Sequence, residues 1–275
     1  MKVMVTTMMP IGRDLIKIVY VMAGTNKTLT FISFNCEHAN DVRLPFLKDL
    51  FRMSDFLLVQ EHGLYKSKLS WFSEIGKKDK DESGEDEVVG IHGVSAMNEE
   101  QLLRGRPRGG AAILWRSRMH NRVTPVTWDS TRGCAVTVQV EGEILLLVCV
   151  YMPCDDWRHD ANVLEYKNIL NEISVLCNSI NATYVCLGGD FNTDLSRNTP
   201  QTEELKSYIL ENDLYCCASD NKCEVNYTYC SKINKRTSFI DHFIISNNLK
   251  DRLQLLSSSD TVKNPSDHVG LMCSL

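Results

Sequence analysis

The sequence predicts a mixed α/β fold, and two features of its hydrophobic pattern indicate this class. Short apolar segments rich in β-branched and aromatic residues alternate with segments whose apolar residues recur at helical spacing. Two long apolar runs also flank Glu141-Gly142-Glu143, which is typical of a hairpin turn. Because a tight hairpin joins antiparallel strands, the sheet is expected to be mixed rather than purely parallel.

The expected elements follow in order along the chain. The strands are predicted over residues 29–34, 56–60, 109–115, 135–140, 144–151, 184–187, 227–230, 238–245 and 268–273. The helices are predicted over residues 41–51, 163–176 and 203–210. The first 27 residues carry no clear pattern and are expected to be a leader. A chain of 275 residues suits one large α/β domain, and we place that domain at residues 28–275.

Charge is distributed unevenly along the chain. The net charge of −5 argues against a simple basic nucleic-acid binder. Residues 79–87 hold six acids and one lysine, so the rest of the chain is neutral overall, and this acidic run is expected to be a solvated loop. Residues 101–118 contain five arginines and no acid. Since local field steers a polyanion more than net charge does, a nucleic-acid partner stays compatible with the composition.

The apolar runs and the cysteines bear on compartment and on metals. No apolar run approaches the roughly 20 residues that span a bilayer, and no signal peptide is evident, so an intracellular, reducing location without membrane association is expected. That location would be the nucleus if the chain acts on genomic DNA. The cysteine count is odd and no CxxC pair occurs, so a zinc site is not expected. Oligomeric state is not indicated by any pattern.

Polar residues stand repeatedly at the ends of the predicted strands. The six groups are Asn35, Gln60-Glu61, Tyr151, Gly189-Asp190-Phe191-Asn192, Asp241, which lies inside SFIDHFII, and Ser266-Asp267-His268. Each alone is more typical of a turn or a helix cap than of a catalytic site. Together they would converge on one edge of a sheet, where open α/β folds place ligands. Carboxylates with an amide suit Mg²⁺, and His268 is the candidate cation beside a phosphate.

The wording and order of these motifs resemble a known group of phosphodiesterases. The segments QE, VYMP, GGDFN, SFIDHF and SDH are similar to the exonuclease–endonuclease–phosphatase superfamily, which includes abasic-site endonucleases and pancreatic deoxyribonuclease. GDFNTDLS, NYTYCS and SFIDHFI are most similar to the endonuclease domain of LINE-type (non-LTR) retrotransposons. The resemblance covers about residue 28 to the C-terminus. It implies a four-layer α/β sandwich, deoxyribonuclease-like, with two mixed β-sheets face to face and helices outside.

The resemblance also implies catalytic roles. Asp190 would activate or position the attacking water, and Asn192 would orient it. His268 would stabilise the charge that develops on the phosphate, and Asp241 would hold the histidine ring. Tyr151 would donate a hydrogen bond to a phosphate oxygen or to the leaving group.

Metal and substrate residues follow from the same resemblance. Glu61 would be the principal ligand of Mg²⁺, for which Mn²⁺ is a possible substitute, with Asn35 and Asp267 close to the ion. Thr228 and Ser238 match positions near the substrate groove. One departure concerns Glu37, which stands where abasic-site endonucleases carry an aspartate, so a direct metal role is not expected for it.

Two further features have competing interpretations. Arg104, Arg106 and Arg108 would either contact DNA phosphates or belong to a solvated loop. His242 should face away from Asp241 along a strand, so we interpret it as a structural histidine of the core.

These observations lead to one functional hypothesis and two alternatives. The chain is expected to nick DNA by magnesium-dependent hydrolysis, as the target-site endonuclease domain of a non-LTR retrotransposon. One alternative is a related phosphodiesterase that acts on RNA or a small phosphoester. The other is a catalytically dead relic that only binds nucleic acid.

Overall fold

A computed structural model describes residues 28–79, 83–100, 108–154 and 160–275. The predicted leader, Arg104 and Arg106 lie outside these residues. The strands, in chain order, are β1 Thr30–Asn35, β2 Phe56–Gln60, β3 Gly90–Val94, β4 Ala111–Trp115, β5 Val123–Val126, β6 Gly133–Val140, β7 Glu143–Tyr151, β8 Tyr184–Asp190, β9 Leu214–Cys216, β10 Tyr229–Cys230, β11 Thr237–Ser238, β12 Asp241–Ser246, β13 Leu255–Ser259 and β14 Gly270–Ser274. The α-helices are α1 Leu44–Arg52, α2 Asp160–Ser179 and α3 Pro200–Glu211. Short 3₁₀ helices cover Lys66–Gly76, Ser117–Arg122, Cys217–Ser219 and Asn247–Arg252.

Two six-stranded sheets form the centre of the fold. The first sheet has the order β13-β14-β1-β2-β4-β3, and the second sheet has the order β5-β6-β7-β8-β12-β9. Each contains one parallel pair, β1 with β2 and β7 with β8, among antiparallel pairs. Both sheets are therefore mixed, as the hairpin in the sequence predicts. In that hairpin, Glu141 and Gly142 both have positive φ, which matches the right-handed twist of the flanking strands.

Three apolar clusters define four layers. One cluster fills the space between the sheets and includes Phe31, Phe56 and Phe243. A second packs α2 and α3 against the outer face of the second sheet, and a third packs α1 against the outer face of the first sheet. Because strand side chains alternate between faces, each central strand contributes to an inner and an outer cluster. The predicted four-layer sandwich is thus confirmed.

Some elements differ from the sequence-based expectation. Four strands were not expected: β3, β5, β9 and β13. Their sequences explain this, because β3 contains two glycines, β5 contains a proline, β9 has three residues and β13 is mostly serine. The strand expected over 238–245 is broken, with β11 ending at Ser238 and β12 beginning at Asp241. The last strand begins at Gly270, two residues later than expected.

Thiols and helices give two further observations. All eleven cysteines are free, and Cys134, Cys149 and Cys186 are buried in the core between the sheets. Among the residues that the structure describes, no helix combines the length and apolar character that crossing a bilayer requires.

Close packing explains the paired glycines that precede Asp190. A Cβ atom on Gly189 would lie 2.0 Å from the carbonyl oxygen of Val150 on the neighbouring strand. A Cβ atom on Gly188 would lie 2.6 Å from the Phe243 ring and 2.8 Å from Leu58 of the opposite sheet. The glycines therefore allow β8 to lie close to its neighbours at the point where the strand presents Asp190.

This packing predicts a difference between two glycine substitutions. Gly189→Ala should lower the free energy of unfolding by on the order of 3 kcal/mol, because the contact is with backbone that has little freedom to move. Gly142→Ala is the control, since Gly142 has positive φ but no atom within 4 Å of the added Cβ, and it should lose about 1 kcal/mol. Urea unfolding of both variants measures the difference. Equal losses would contradict the account.

Candidate active site

Strand register brings the predicted residues of the second sheet together. Tyr151 ends β7 and lies opposite Asp190, which ends the parallel strand β8. Asp190 in turn lies opposite Asp241, the first residue of the antiparallel strand β12. On the first sheet, Asn35 ends β1 beside Gln60, and Glu61 follows directly. All of these residues share one end of the sandwich, as the positions at strand ends predicted.

The side-chain amide of Asn35 joins the two sheets at this end. Asn35 Nδ2 donates to Asp190 Oδ2 at 2.9 Å and lies 3.2 Å from Glu61 Oε2. The other end of the amide is occupied as well, because Asn35 Oδ1 accepts from the backbone N–H of Glu37 at 3.0 Å. This second bond fixes which end of the amide faces the carboxylates. Asn35 therefore orients Glu61 and Asp190 as a donor, and its predicted contact with a metal stays a prediction.

A buried hydrogen bond links the histidine to the second sheet. His268 Nδ1 lies 2.9 Å from Asp241 Oδ2, and His268 Nε2 lies 4.0 Å from Asp190 Oδ2. The three residues are at most 5% exposed. Ser266 supports the histidine segment, because its hydroxyl donates to the Asn35 carbonyl and accepts from the His268 backbone N–H.

The charges in this small volume shift each other's ionisation. Burial opposes charge on the His268 ring, yet the adjacent Asp241 and then Asp190 raise its pKa to about 10. Burial, followed by repulsion from Asp241, raises the pKa of Asp190 to about 7, although His268 and Asn35 act in the opposite direction. A charged imidazolium beside Asp190 is the consequence. Burial and the carboxylates of Glu61 and Asp190 raise the pKa of Tyr151, so its hydroxyl stays a donor.

Asn192 is held directly beside Asp190. Its backbone N–H donates to Asp190 Oδ1 at 2.8 Å, and its side-chain Nδ2 donates to the Met152 carbonyl at 2.9 Å. Nδ2 also lies 3.3 Å from Asp190 Oδ2. Asn192 has φ of 50°, a left-handed conformation that asparagine tolerates better than most residues. The GDFN segment thus turns sharply after β8 and places the Asn192 side chain beside that of Asp190.

Thr228 reaches the site through the backbone that it holds. Its side chain is fully buried, and its Oγ1 accepts from the backbone N–H groups of Ile240 and Asp241, each at 2.9 Å. These two bonds replace strand pairing at the break between β11 and β12, and they position Asp241. Ser238 is partly exposed, and its hydroxyl accepts from Arg197. Substrate contact by Thr228 and Ser238 stays a prediction, and burial allows only an indirect role for the Thr228 hydroxyl.

Arg132 is a residue of this region that the sequence analysis missed. Its guanidinium lies 5.7 Å from the centre of the Tyr151 ring, and it is held by Glu165 of α2 at 2.8–2.9 Å. The hairpin in the sequence could have identified it. Pairing residues at equal distances on either side of the Glu141-Gly142 turn places Arg132 opposite Tyr151.

The turn that carries Glu61 is strained and well supported. Glu61 has φ of 52°, which is uncommon for a residue other than glycine. Its backbone N–H donates to the Gly110 carbonyl at 2.9 Å, and its carbonyl accepts from the His38 N–H at 2.8 Å. Gly63 similarly donates to Gly109 at 3.0 Å. Arg108 is exposed and directly precedes Gly109, so the acid-free arginine segment joins the fold beside Glu61.

A second pair of acids, Glu37 and Asp267, lies next to this turn. Glu37 Oε2 is 2.7 Å from Lys232 Nζ and 3.5 Å from Arg43 Nη2. Burial raises the pKa of Glu37, but the two bases outweigh it and the net shift is downward. Burial and the nearby Glu37 raise the pKa of Asp267. Since Glu37 already has two cationic partners, the geometry favours the expectation that it does not bind a metal directly.

The donor set at this end fits a hard divalent cation. Carboxylates of Glu61 and Asp190 share the Asn35 amide, and Asp241 Oδ1 is buried with no hydrogen-bond partner among the residues that the structure describes. Asp190, Asp241 and His268 offer atoms within 4.8 Å of one another, but His268 Nδ1 is already hydrogen-bonded to Asp241 Oδ2. Oxygen donors around Glu61 and Asp190 suit Mg²⁺ better, because that ion prefers carboxylates and water.

His242 confirms the expectation of a structural role. It lies on the opposite side of β12 from Asp241 and is buried, with Nε2 2.8 Å from the Thr193 carbonyl. Its Nδ1 faces the Cys216 thiol at 3.8 Å.

Comparisons with known proteins show which family and which solved structures this chain is similar to. A family model described as "Endonuclease-reverse transcriptase" matches residues 145–272, a segment that includes Asp190, Asp241 and His268. A search of curated protein sequences finds no match.

Several solved structures share the fold. A 3′-5′ exonuclease (NExo) from Neisseria meningitidis is similar at 16% identity with a TM-score of 0.63, covering 89% of this chain and 98% of that one. The endonuclease domain of TRAS1, a telomere-specific non-LTR retrotransposon, is similar at 13% identity and 0.62, covering 90% and 98%. The AP endonuclease LMAP from Leishmania major is similar at 12% identity and 0.65, covering 90% and 87%. The resemblance to the endonuclease/exonuclease/phosphatase superfamily is therefore confirmed, and the chain has the two-sheet α/β sandwich of these enzymes.

Proposed function

We propose that this chain is a magnesium-dependent endonuclease that nicks DNA. The observation that carries the proposal is the buried His268 ring, hydrogen-bonded to Asp241 and 4.0 Å from Asp190, two carboxyl groups that raise its pKa. A carboxylate able to take a proton, next to a fixed cation able to meet a phosphate oxygen, suits hydrolysis of a phosphodiester. The pKa of Asp190, at about 7, suits a group that accepts a proton near neutral pH.

In the proposed mechanism, each residue acts on the water or on the phosphate. Asp190 accepts the proton of the attacking water, and Asn192 orients that water. His268 donates a hydrogen bond to a non-bridging phosphate oxygen as charge grows there, and Asp241 keeps the ring charged and in place. The Tyr151 hydroxyl donates to a phosphate or leaving-group oxygen.

Glu61 would hold the divalent ion, with Asp267 nearby. When bound, Mg²⁺ or Mn²⁺ would supply Lewis-acid stabilisation of the phosphate and leaving group. Without the ion, the carboxylates of Glu61 and Asp267 would repel a DNA phosphate.

Two similarities support DNA at a retrotransposon target site as the substrate. The matching family model is described as an endonuclease–reverse transcriptase, and the TRAS1 domain is one of the structures with this fold. Action on genomic DNA would place the protein in the nucleus. RNA cleavage, hydrolysis of a small phosphoester, and nucleic-acid binding without catalysis are the alternatives that the following test separates.

The direct test incubates the protein with supercoiled plasmid. Nicked circles should form with Mg²⁺ or Mn²⁺ and should be absent with chelator. Binding of plasmid without nicking under any divalent ion would favour the non-catalytic relic. Cleavage of RNA or of a small phosphoester in place of plasmid would keep the hydrolase and refute the substrate.

Variants of the buried triplet, which is Asp190, Asp241 and His268, give a further prediction. Asp190→Ala and His268→Ala should lower turnover by on the order of 10²-fold or more, because each removes a proton-transfer or charge-stabilising group. Asp241→Asn should be milder than His268→Ala, since it weakens the ring's charge and orientation without deleting the ring. DNA affinity, measured by fluorescence anisotropy, should change little.

A matched control separates chemistry from folding in this series. His242→Gln alters another buried histidine, adjacent to Asp241 but on the other face of β12, and retains a side-chain donor for the Thr193 carbonyl. It should change stability more than turnover per folded molecule. Turnover near the parent value in His268→Ala would refute the assigned role.

The arginine segment gives another prediction, about DNA binding. If Arg104, Arg106 and Arg108 meet phosphates, replacing all three with alanine should flatten the log–log salt dependence of DNA binding by up to about 0.9 for each phosphate that is no longer neutralised. Arg122→Ala is the comparison for Arg108→Ala, because Arg122 is also exposed but follows the far end of β4. An unchanged slope in the triple variant would indicate a solvated loop.

A further inference from the structure

A polar contact between the sheets lies directly beneath the active site. Gln60 is fully buried, and its Nε2 donates to the Cys149 thiol sulfur at 3.2 Å, from β2 of the first sheet to β7 of the second. Gln60 Oε1 accepts from the Ser33 hydroxyl of β1 at 3.3 Å. One side chain therefore connects three strands across the sandwich.

The Cys149 thiol also donates a hydrogen bond back to the first sheet. Cys149 Sγ donates to the Val59 carbonyl at 3.8 Å, so sulfur is both an acceptor from and a donor to β2. Cys134 lies opposite Cys149 in the register of β6 and β7. Its thiol reaches carbonyls of the first sheet as well, that of Ala111 at 3.5 Å and that of His92 at 3.6 Å.

Each member of the contact lies one step below a residue of the site. Ser33 precedes Asn35 by two residues, and Cys149 precedes Tyr151 by two, so each pair shares a strand face. Gln60 directly precedes Glu61. The contact therefore couples the strand ends that present the metal side of the site to the strand end that presents Tyr151.

Packing alone does not explain a glutamine at this position. Phe56 and Leu58 on the same face of β2 are apolar members of the core between the sheets. An amide buried there loses its hydration, and sulfur is a weak acceptor that compensates only in part. A methionine of similar volume would avoid that loss. The amide must then contribute something other than stability. A hydrogen bond restricts the distance and angle between the two strands that it joins more narrowly than an apolar contact does.

We propose that Gln60 and Cys149 are positioning residues, which set the spacing between Glu61 and Asn35 on one sheet and Tyr151 and Asp190 on the other. This inference rests on the proposed function, since that function requires groups from both sheets to act on one phosphate. Neither residue touches the substrate. Their effect reaches the reaction through the strand ends that they hold together.

The experiment compares two buried thiols. Cys149→Ala and the control Cys186→Ala each remove one sulfur from the same core, but the Gln60 amide bonds only the Cys149 sulfur. Cys149→Ala should lose more stability in urea than Cys186→Ala, because it leaves the buried Gln60 amide without its acceptor, so both remaining measurements are made on folded protein. Cys149→Ala should lower kcat for plasmid nicking by about tenfold. It should also raise the Kd for Mn²⁺, measured by electron paramagnetic resonance, by about tenfold. Cys186→Ala should stay within about twofold on both measures.

Two further variants test the hydrogen bond itself. Cys149→Ser retains a group that accepts and donates, so it should recover most of the loss. Gln60→Met should match Cys149→Ala in kcat and Mn²⁺ affinity, and the double variant should be no worse than either, because both remove the same contact between Gln60 and Cys149.

Equal effects of the two alanine variants on kcat and Mn²⁺ affinity, or independent effects of Gln60→Met and Cys149→Ala, would overturn the proposal. If the parent protein does not nick DNA, the proposed function fails, and the Mn²⁺ affinities of the same variants still decide whether Gln60 positions the site.

Discussion

Asp241 and His268 share a hydrogen bond of 2.9 Å in a place that water barely reaches, and Asp190 lies 4.0 Å from the other ring nitrogen. Bringing these charges together without solvent is unfavourable unless each is paired and bonded. Much of the local structure provides that compensation. Thr228 holds the backbone on both sides of the bend before Asp241, and the two asparagines, Asn35 and Asn192, donate to Asp190. The result is a cation and a carboxylate held in fixed positions before any substrate binds, which is the arrangement that electrostatic catalysis requires.

The two-sheet architecture makes this arrangement possible. A single sheet would present Tyr151, Asp190 and Asp241 in a row, because they are neighbours in register. The second row, which includes Asn35 and Glu61, comes from the opposite sheet, so the cleft between the sheets has functional groups on both walls. Glycines at 188 and 189 allow the close approach of strands below it. Positive φ at Glu61 and Asn192 then turns the chain away from each strand as soon as the functional side chain is in place.

Sequence alone was sufficient for the fold class and for the location of the polar groups, because both depend on local patterns. Asp190 could be assigned to a strand end, since an apolar run precedes it, whereas Asp241 lay inside a predicted strand. The break between β11 and β12 could not be predicted, because it depends on a bond from Thr228, thirteen residues away. Gln60 was expected only as part of a motif, and its partner Cys149 is 89 residues distant. Arg132 was accessible through the hairpin register but carries no distinctive local pattern. Hydrophobic periodicity describes one helix or strand at a time, so it could not predict contacts between the two sheets.

The protonation state of His268 is the most direct measure of whether the buried triplet works as described. Nitrogen-15 NMR of the imidazole rings at pH 8, with His268→Ala used for assignment, distinguishes a ring protonated at both nitrogens from a neutral ring. With its pKa raised to about 10 by Asp241 and Asp190, His268 should be doubly protonated at this pH, and Asp241→Asn should shift it toward the neutral form. A neutral His268 ring at pH 8 in the parent protein would contradict the account, because no fixed cation would then stand beside Asp190.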